Sequence, residues 1–313
     1  MTTKNPRVII VGMGTQGSKR RQSIGEDFVG FVDPFHHDSD YRSIFEVPPE
    51  SYDAAMVCTP DAEKYTIIQF LLQNGKHVLC EKPLILRSRS QYRKIQKQAS
   101  DSNLIYYTAY NHRFESSIIL AKDVIGESQL GEIYFVNLFY GNGTSQDILN
   151  SSWKDFGSGV VHDLGSHLLD LLNFWFSELV FEFQSTSLSN FETKSPDYAI
   201  LHSRNVLPRA TLQITTCMWK NTFRADIVGS KGSLHIEGLA KWGKCIVSQR
   251  TRMFPSGVPE ESIFEFKSGD LTWEREYQHF KNLIAKGSGS NLDHDNYIWQ
   301  TLEKALNQSK RVS

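Results

Sequence analysis

Three polar residues near the middle of the chain have the spacing of one helix face. Asp163, His167 and Asp170 stand at positions i, i+4 and i+7, with leucines nearby for apolar packing. A carboxylate one turn from an imidazole can orient the ring and raise its basicity, which suits removal of a proton from a sugar hydroxyl. Two other interpretations stay open: a solvated helix face that caps the preceding glycine-rich loop, and a metal site that includes His162, although this spacing matches no strong zinc pattern.

A second group of residues has the features of a dinucleotide site. Residues 12–17 read Gly-Met-Gly-Thr-Gln-Gly directly after a strand-like run, and such a loop lets backbone N–H groups approach a pyrophosphate at a helix N-terminus. The candidate phosphate-loop residues are Gly12, Gly14, Thr15, Gln16 and Gly17. Asp33 follows at the end of the next predicted strand and can accept hydrogen bonds from a ribose diol. Its charge repels a 2′-phosphate, so NAD is favoured over NADP as the cofactor.

The basic run after the glycine loop gives a competing signal. Lys19, Arg20 and Arg21 could hold a 2′-phosphate, which would favour NADP. We favour the alternative, in which the three side chains form a solvated face of the first helix.

Lys82 is the third candidate for chemistry. It lies in Glu81-Lys82-Pro83, directly after a predicted strand and so at the carboxyl edge of the sheet, where ligands of such folds bind. In isolation the tripeptide favours an ordinary surface cation. At the sheet edge, Lys82 is predicted to point at the nicotinamide.

The first part of the chain must position the dinucleotide. Buried-strand patterns occur at residues 7–12, 28–33, 54–59, 77–80 and 105–109, and residues 63–74 form the clearest helix between them. Strands that alternate with helices predict a doubly wound α/β Rossmann domain, which we place at residues 1–114. The segment between Asp33 and Ala54 is short and rich in Asp, Ser and Pro, which predicts a reduced or absent third strand.

The remaining residues, 115–313, have a different pattern. Alternating polar and apolar residues predict strands within 133–140, 209–219, 225–236 and 244–248. Helices are predicted at about 160–176, 273–286 and 297–309, and residues 256–270 as loop and hairpin. The pattern indicates an α+β domain with a mostly antiparallel open sheet that binds the substrate.

Several motifs together resemble the Gfo/Idh/MocA oxidoreductases, named for glucose–fructose oxidoreductase and inositol dehydrogenase. They are the glycine loop, Thr-Pro-Asp at 59–61, Gly-Lys-His-Val-Leu-Cys-Glu-Lys-Pro-Leu at 75–84, Tyr-Asn-His-Arg-Phe at 110–114, residues 157–170 and Val-Gly-Ser-Lys-Gly-Ser-Leu at 228–234. Residues 157–170 are similar to the family signature GGGxxxDxGxHxxD, with Ser158 in place of the middle glycine.

The resemblance implies roles for individual residues. Lys82 would lie beside the nicotinamide, Asp163 would hold the substrate and tune His167, and His167 would be the acid–base. The implied cofactor contacts outside the glycine loop and Asp33 are Thr59, Pro60, Asp61, Glu81, Lys82 and Asn111. The implied substrate contacts are Lys82, Arg113, Trp153, Lys154, Asp163 and His167. Trp153 would stack on a sugar ring, although a core or interface aromatic residue is an equal alternative.

Two features depart from the family pattern. Many members have His three residues after the Asn that follows Thr-Pro, and Lys64 occupies that position in this chain. The role of that His is therefore in doubt. The connection between the second strand and Thr59 is also short, which predicts a more open adenine pocket.

Composition limits the partners. The formal net charge of −1 gives no global attraction to nucleic acid or anionic membranes, and no apolar run reaches membrane-spanning length. The four cysteines are widely separated and form no CxxC, which together with the short polar N-terminus predicts a cytoplasmic protein. No metal is expected, and relatives use the second-domain sheet to assemble, which implies a homodimer or homotetramer.

The expected activity is hydride transfer between nicotinamide and a secondary alcohol or ketone of a sugar, cyclitol or nucleotide-sugar. Two alternatives stay open. One is a non-catalytic dinucleotide-binding regulator, against which the joint presence of Lys82, Asp163 and His167 argues. The other is an NAD-dependent glycosidase, which would yield no net NADH.

Overall fold

The computed structural model describes residues 5–151, 155, 157–267 and 269–309, and the contacts within it define two compact units. The first unit contains the residues up to Asn111 together with Thr272–Tyr297. The second contains His112–Leu271 and the residues from Ile298 onward. Relative to the predicted boundary after residue 114, the structure adds to the first unit a helix that was predicted in the C-terminal domain.

Strands and helices largely alternate in the first third of the described chain, whereas strands predominate further on. The strands are β1 (Val8–Val11), β2 (Phe28–Val32), β3 (Ala54–Val57), β4 (His77–Glu81), β5 (Tyr106–Ala109), β6 (Ile133–Gly141), β7 (Phe183–Ser189), β8 (Tyr198–Ser203), β9 (Arg209–Thr215), β10 (Thr222–Gly229), β11 (Gly232–Glu237), β12 (Cys245–Thr251) and β13 (Glu260–Phe266). The helices are α1 (Thr15–Ile24), α2 (Asp61–Gln73), α3 (Arg89–Asp101), α4 (Ser116–Gly126), α5 (Ser145–Leu149), α6 (Val160–Asp163), α7 (Gly165–Trp175), α8 (Thr272–Lys286) and α9 (Leu292–Ser309).

The first unit is built on a five-stranded sheet with the order β2-β1-β3-β4-β5, and every neighbouring pair is parallel. All residues of β1, β3 and β5 are buried, which is why their sequences are continuous apolar runs rather than alternating ones. Beyond β2, where a further strand would pair, the structure has one isolated bridge between Val32 and Tyr41. The prediction of a Rossmann sheet with a reduced third strand is confirmed.

The core of this unit includes α8, although α8 is far away in the sequence. Tyr277, Phe280 and Leu283 of α8 pack in one buried cluster with Val8 and Ile10 of β1. The helical spacing of apolar residues along 273–286 predicts the helix but does not identify the sheet that it covers.

The second unit is built on an eight-stranded sheet with the order β13-β12-β11-β10-β6-β9-β8-β7. Its neighbouring strands are antiparallel, except that β6 and β9 run parallel. Along β10 the residues Phe223, Ala225 and Ile227 are buried while their neighbours are more exposed, as expected for a sheet that is covered on one face. The predicted α+β domain with a mostly antiparallel open sheet is confirmed. Strands β7 and β8 were not predicted.

None of the helices in the described ranges is long and apolar enough to cross a lipid bilayer.

Candidate active site

The glycine loop leaves β1 at Val11 and enters α1 at Thr15. Gly12 has φ +94°, and a Cβ atom there would lie 2.9 Å from the carbonyl oxygen of Cys58, so no other residue fits without strain. A Cβ on Gly17 would lie 2.0 Å from the carbonyl oxygen of Gly12. At Gly14, the N-cap of α1, no atom lies within 4 Å of such a Cβ. The loop therefore leaves an open approach to the first backbone amides of α1, which fits a pyrophosphate.

Asp33 lies at the end of β2 and connects this loop to the next turn. Its Oδ2 atom accepts a hydrogen bond from the amide of Met13 at 2.8 Å, and Oδ1 accepts from the amides of Phe35 and His36 at 2.8 and 3.1 Å. Partial burial alone would raise the pKa of Asp33, but these three amides lower it overall. The carboxylate is therefore held ionised beside the glycine loop, as selection of a ribose diol requires, and two oxygens offer further acceptor sites.

The basic run of α1 does not form the solvated face that was predicted. Lys19 and Arg21 are exposed, but Arg20 is fully buried. Its Nε donates to Glu81 Oε1 and its Nη1 to Glu276 Oε2, each at 2.6 Å. Burial alone would lower the pKa of Arg20, but the two glutamates raise it. The prediction for Arg20 was wrong because a short polar run does not show which member turns toward the core.

Glu81 and Lys82 lie where β4 ends. The carboxylate of Glu81 is taken up by Arg20, so its structural role is to anchor this end of β4 to α1. A contact of Glu81 with the cofactor stays a prediction. Lys82 itself follows the last residue of β4, at the carboxyl edge of the parallel sheet, as predicted.

Lys64 is a residue of this site that the sequence pattern left without a role. Its side chain is almost completely buried, and its Nζ donates to the carbonyl oxygens of Glu81 at 2.7 Å and Pro83 at 2.8 Å. The same Nζ lies 2.7 Å from Asp61 Oδ1, one turn earlier in α2. Lys64 therefore joins the start of α2 to the backbone on both sides of Lys82.

The surrounding charges keep Lys64 protonated. Burial alone would lower the pKa of Lys64, whereas Cys80, Asp61 and Glu81 raise it, and the upward shift prevails. Burial also raises the pKa of the Cys80 thiol to about 12, so this thiol is neutral at physiological pH. The two carboxylates are therefore the charges that matter for Lys64.

The remaining predicted cofactor contacts of the first unit lie at strand ends. Thr59 and Pro60 follow β3 and precede α2, and Asp61 is the first residue of α2. Asn111 is buried, and its Nδ2 donates to the hydroxyl of Thr272 at 3.1 Å. Their roles in cofactor binding stay predictions.

In the second unit the predicted helix at residues 160–176 is present as α6 and α7, with a break at Leu164. His167 lies in the first turn of α7 and is buried. Its ring stacks on the ring of His112, with centroids 3.9 Å apart and planes 23° from parallel. Tyr140 and Trp242 complete an aromatic cluster around this pair. The ring centroid of Tyr140 lies 5.9 Å from that of His167 and 5.3 Å from that of His112, and the ring centroid of Trp242 lies 6.0 Å from that of His112.

The two carboxylates of the predicted helix face have different surroundings. Asp163 is half-buried and close enough to Tyr140 to contribute to the upward shift of the pKa of Tyr140, whose main cause is burial. Asp170 is fully buried and accepts hydrogen bonds from Nε of Arg113 at 3.0 and 2.8 Å. The ion pair gives Arg113 and Asp170 a structural role, and substrate binding by Arg113 stays a prediction.

An open groove of about 490 Å³ lies next to the aromatic cluster. Trp242 belongs both to the aromatic cluster and to the lining of the groove, which also includes Trp219 and Lys220. Trp219 is fully exposed, so one indole face is available to a ligand. Trp153 and Lys154, predicted to bind substrate, lie outside the described residues. Among the described residues, no group of three or more His, Cys, Asp or Glu side chains converges as metal ligands would.

A glycine loop between β1 and a helix N-terminus, with an ionised aspartate at the end of β2, defines a dinucleotide-binding protein of the Rossmann class. Comparison with family models identifies the family. Residues 2–110 match the GFO/IDH/MocA oxidoreductase family with an NAD-binding Rossmann fold, and residues 118–235 match a C-terminal domain of the same family. The chain belongs to the GFO/IDH/MocA oxidoreductases, an NAD-binding family, as the motifs predicted.

Individual relatives agree with this assignment. Levoglucosan dehydrogenase of Pseudarthrobacter phenanthrenivorans is 29% identical over 145 residues, which cover 45% of this chain and 36% of the relative. The rabbit (Oryctolagus cuniculus) trans-1,2-dihydrobenzene-1,2-diol dehydrogenase is 23% identical over 239 residues, which cover 75% of this chain and 71% of the relative. The match to the levoglucosan dehydrogenase thus spans about a third of its length.

Solved structures show the same fold. A levoglucosan dehydrogenase in complex with NADH and levoglucosan superposes with a TM-score of 0.82 at 18% identity, over 99% of this chain and 98% of that one. At this identity the likeness establishes the architecture of both units.

Proposed function

We propose that this protein is an NAD-dependent dehydrogenase or reductase that acts on a secondary alcohol or ketone of a sugar, cyclitol or nucleotide-sugar. The observation that carries the proposal is the pairing of Asp33 with the glycine loop, because an ionised carboxylate beside an open helix N-terminus suits the ribose and pyrophosphate of NAD. The related levoglucosan and dihydrodiol dehydrogenases support an alcohol as the substrate.

Lys82, Asp163 and His167 are the proposed catalytic residues. When bound, NAD supplies the acceptor for the hydride at its nicotinamide ring. His167 removes the proton from the substrate hydroxyl, and the ammonium of Lys82 stabilises the developing negative charge on the oxygen. Asp163 holds a substrate hydroxyl and tunes His167. In the ketone-reducing direction, His167 returns the proton.

The proposed cofactor contacts include the phosphate-loop residues Thr15 and Gln16 in the exposed first turn of α1. The groove lined by Trp219 and Trp242 can accept part of a sugar-like substrate, since tryptophan faces pack well on sugar rings. We also propose that the protein is a cytoplasmic homodimer or homotetramer. Exposed apolar side chains on the second-unit sheet, such as Phe135 and Ile263, support the assembly.

The first experiment is a fluorescence titration with NADH and NADPH, followed by a screen of polyols, sugars and nucleotide-sugars for reduction of NAD. We expect tighter binding of NADH than of NADPH. Asp33→Asn should reduce that preference by a factor of about 10 or more, since it removes the charge that repels the 2′-phosphate.

His167→Ala and Lys82→Ala are the controls for catalysis. Each should lose turnover by about 100-fold or more. His167→Ala should bind NADH as the wild type does, whereas Lys82→Ala also loses a proposed cofactor contact and should bind NADH more weakly. Tight NADH binding without net NADH production on any alcohol would reject the dehydrogenase. In that case, hydrolysis of a glycoside with unchanged NAD would identify a glycosidase, and the absence of both reactions would identify a regulator.

A further inference from the structure

The buried ammonium of Lys64 contacts the loop that carries Lys82 on both sides. It donates to the carbonyl oxygen of Glu81, directly before Lys82, and to that of Pro83, directly after it. We propose that Lys64 is a positioning residue for Lys82: it fixes the backbone from which the catalytic side chain extends and so sets the direction of that side chain. The inference rests on the proposed function only in calling Lys82 catalytic.

The donors and acceptors of this contact match in number. A lysine ammonium has three N–H donors, and Lys64 has three acceptors in the two carbonyl oxygens and Asp61 Oδ1, all at 2.7–2.8 Å. At 2% exposure of the side chain, water does not compete for these donors. The peptide unit that precedes Lys82 and the one that follows Pro83 are therefore held from one point.

The residue types at positions 61 and 64 support a specific arrangement. Asp61 and Lys64 lie one turn apart in α2, and the structure joins them as an ion pair. A buried ammonium without a carboxylate would carry a large desolvation cost, so the two residue types depend on each other. We infer that the pair exists to keep a charged donor beneath the Lys82 loop.

Lys76 provides a matched control within the same unit. Its Nζ also donates to a backbone carbonyl, that of Tyr52, at 2.8 Å. Lys76 directly precedes β4, whereas the loop that carries Lys82 directly follows it. Replacement of Lys64 or of Lys76 therefore removes lysine-to-carbonyl hydrogen bonds at opposite ends of one strand. Of these two residues, Lys64 is the one that contacts the Lys82 loop.

The first readout is hydrogen–deuterium exchange of the wild type, Lys64→Met and Lys76→Met, which needs neither substrate nor cofactor. We expect Lys64→Met to accelerate amide exchange in a peptide that covers residues 80–86 by about 10-fold or more, with no such change in Lys76→Met. Equal exchange of that peptide in both variants would overturn the proposal.

The second readout is steady-state kinetics. A loosened Lys82 should lower kcat by about 10- to 100-fold while the KM values change much less, because misplacement of a catalytic group by about 1 Å is costly in rate. A purely structural role predicts equal kcat for Lys64→Met and Lys76→Met. Faster exchange with unchanged kcat would also overturn the proposal.

A compensating pair of substitutions keeps the test decisive if Lys64→Met does not fold. The double variant Asp61→Asn/Lys64→His pairs a neutral imidazole donor with a neutral amide, so no carboxylate is left without its cation. It should recover both slow exchange and kcat relative to Lys64→His alone. No recovery would contradict a role for position 64 in holding the loop. Absence of turnover in the wild type would reject the proposed function, yet the exchange experiment would still decide whether Lys64 holds the loop.

Discussion

In the first unit buried charges hold the loop that carries Lys82, whereas in the second unit aromatic rings pack against His167. Arg20, Glu81 and Glu276 form a buried ion-pair network, and Lys64 adds a second buried cation next to it. At His167, by contrast, a stacked imidazole and a tyrosine ring lie against the side chain.

The two sites differ because a loop backbone has to be held at Lys82, whereas a side chain on a helix has to be oriented at His167. Lys82 lies in a loop outside regular structure, where backbone carbonyls need donors, and a buried lysine supplies several at once. His167 lies on α7, whose backbone carbonyls are largely satisfied within the helix, so that only the orientation of the ring remains to be fixed. We therefore expect the first region to tolerate changes of charge badly and the second to tolerate changes that conserve shape.

The largest effect is expected for Arg20→Met. The substitution leaves the carboxylates of Glu81 and Glu276 buried without their cation, and the loss of one partner in a buried ion pair costs about 3–5 kcal/mol of the free energy of unfolding. Chemical denaturation followed by fluorescence measures it, because Arg20 lies on the ring of Trp273 at 4.3 Å.

Arg21→Met is the matched control. Arg21 is exposed and lies over the ring of Phe28 at 3.9 Å, so its loss should cost less than about 0.5 kcal/mol. Similar losses in the two variants would show that the ion-pair network does not stabilise the first unit.

His112 tests the aromatic region. His112→Ala removes a buried ring that stacks on His167 and should cost about 2–3 kcal/mol of stability together with a loss of turnover, because His167 can then move. His112→Phe conserves the ring and should cost less than about 1.5 kcal/mol while retaining most turnover. Denaturation and initial rates measure the two quantities.

The comparison between the two His112 variants decides how the ring acts. If His112→Phe were as inactive as His112→Ala, the imidazole nitrogens rather than the ring stacking would be required, and the contrast between the two regions would fail.

The positions of the strands in the first unit could be predicted because most of these strands are buried on both faces. In addition, β1 and β2 are followed by residue types with a known use, Gly12 and Asp33. The partners of the buried charged residues could not be predicted. Arg20 stands between two other cations, and Glu81 and Glu276, its partners, are 61 and 256 residues away along the chain. Contacts at such separation leave no local pattern in a single sequence.

The same limit applies to Lys64 and to the cluster around His167. Residue 64 was identified as a departure from the family pattern, but its contact with Pro83 depends on how α2 packs beside β4. The spacing of Asp163 and His167 predicted one helix face, but the helix breaks between them at Leu164. The aromatic neighbours of His167 come from two other segments, at His112 and Tyr140. Spacing within an element is encoded locally, and packing between elements is not.

The smallest effect on the unfolding free energy is expected for an exposed ion pair in the first unit. Arg7 donates to Asp53 through Nε and Nη2 at 3.0 and 2.9 Å, and mainly this side-chain hydrogen bonding lowers the pKa of Asp53 to about 2 from its ordinary 3.8. Because the folded-state pKa is the lower one, the contribution of the pair is complete above pH 3.8 and is lost as the pH falls through about 2. Both side chains are about 40% exposed, so water and salt weaken the pair.

Arg7→Gln should therefore flatten the acid dependence of the unfolding free energy below pH 4 only slightly, and about 1 M salt should remove most of the difference from the wild type. Unfolding measured at several pH values between about 2 and 6, at low and high salt, would show this. A loss as large as that of Arg20→Met would mean that the chemistry of an ion pair, and not its burial, determines its importance in this unit.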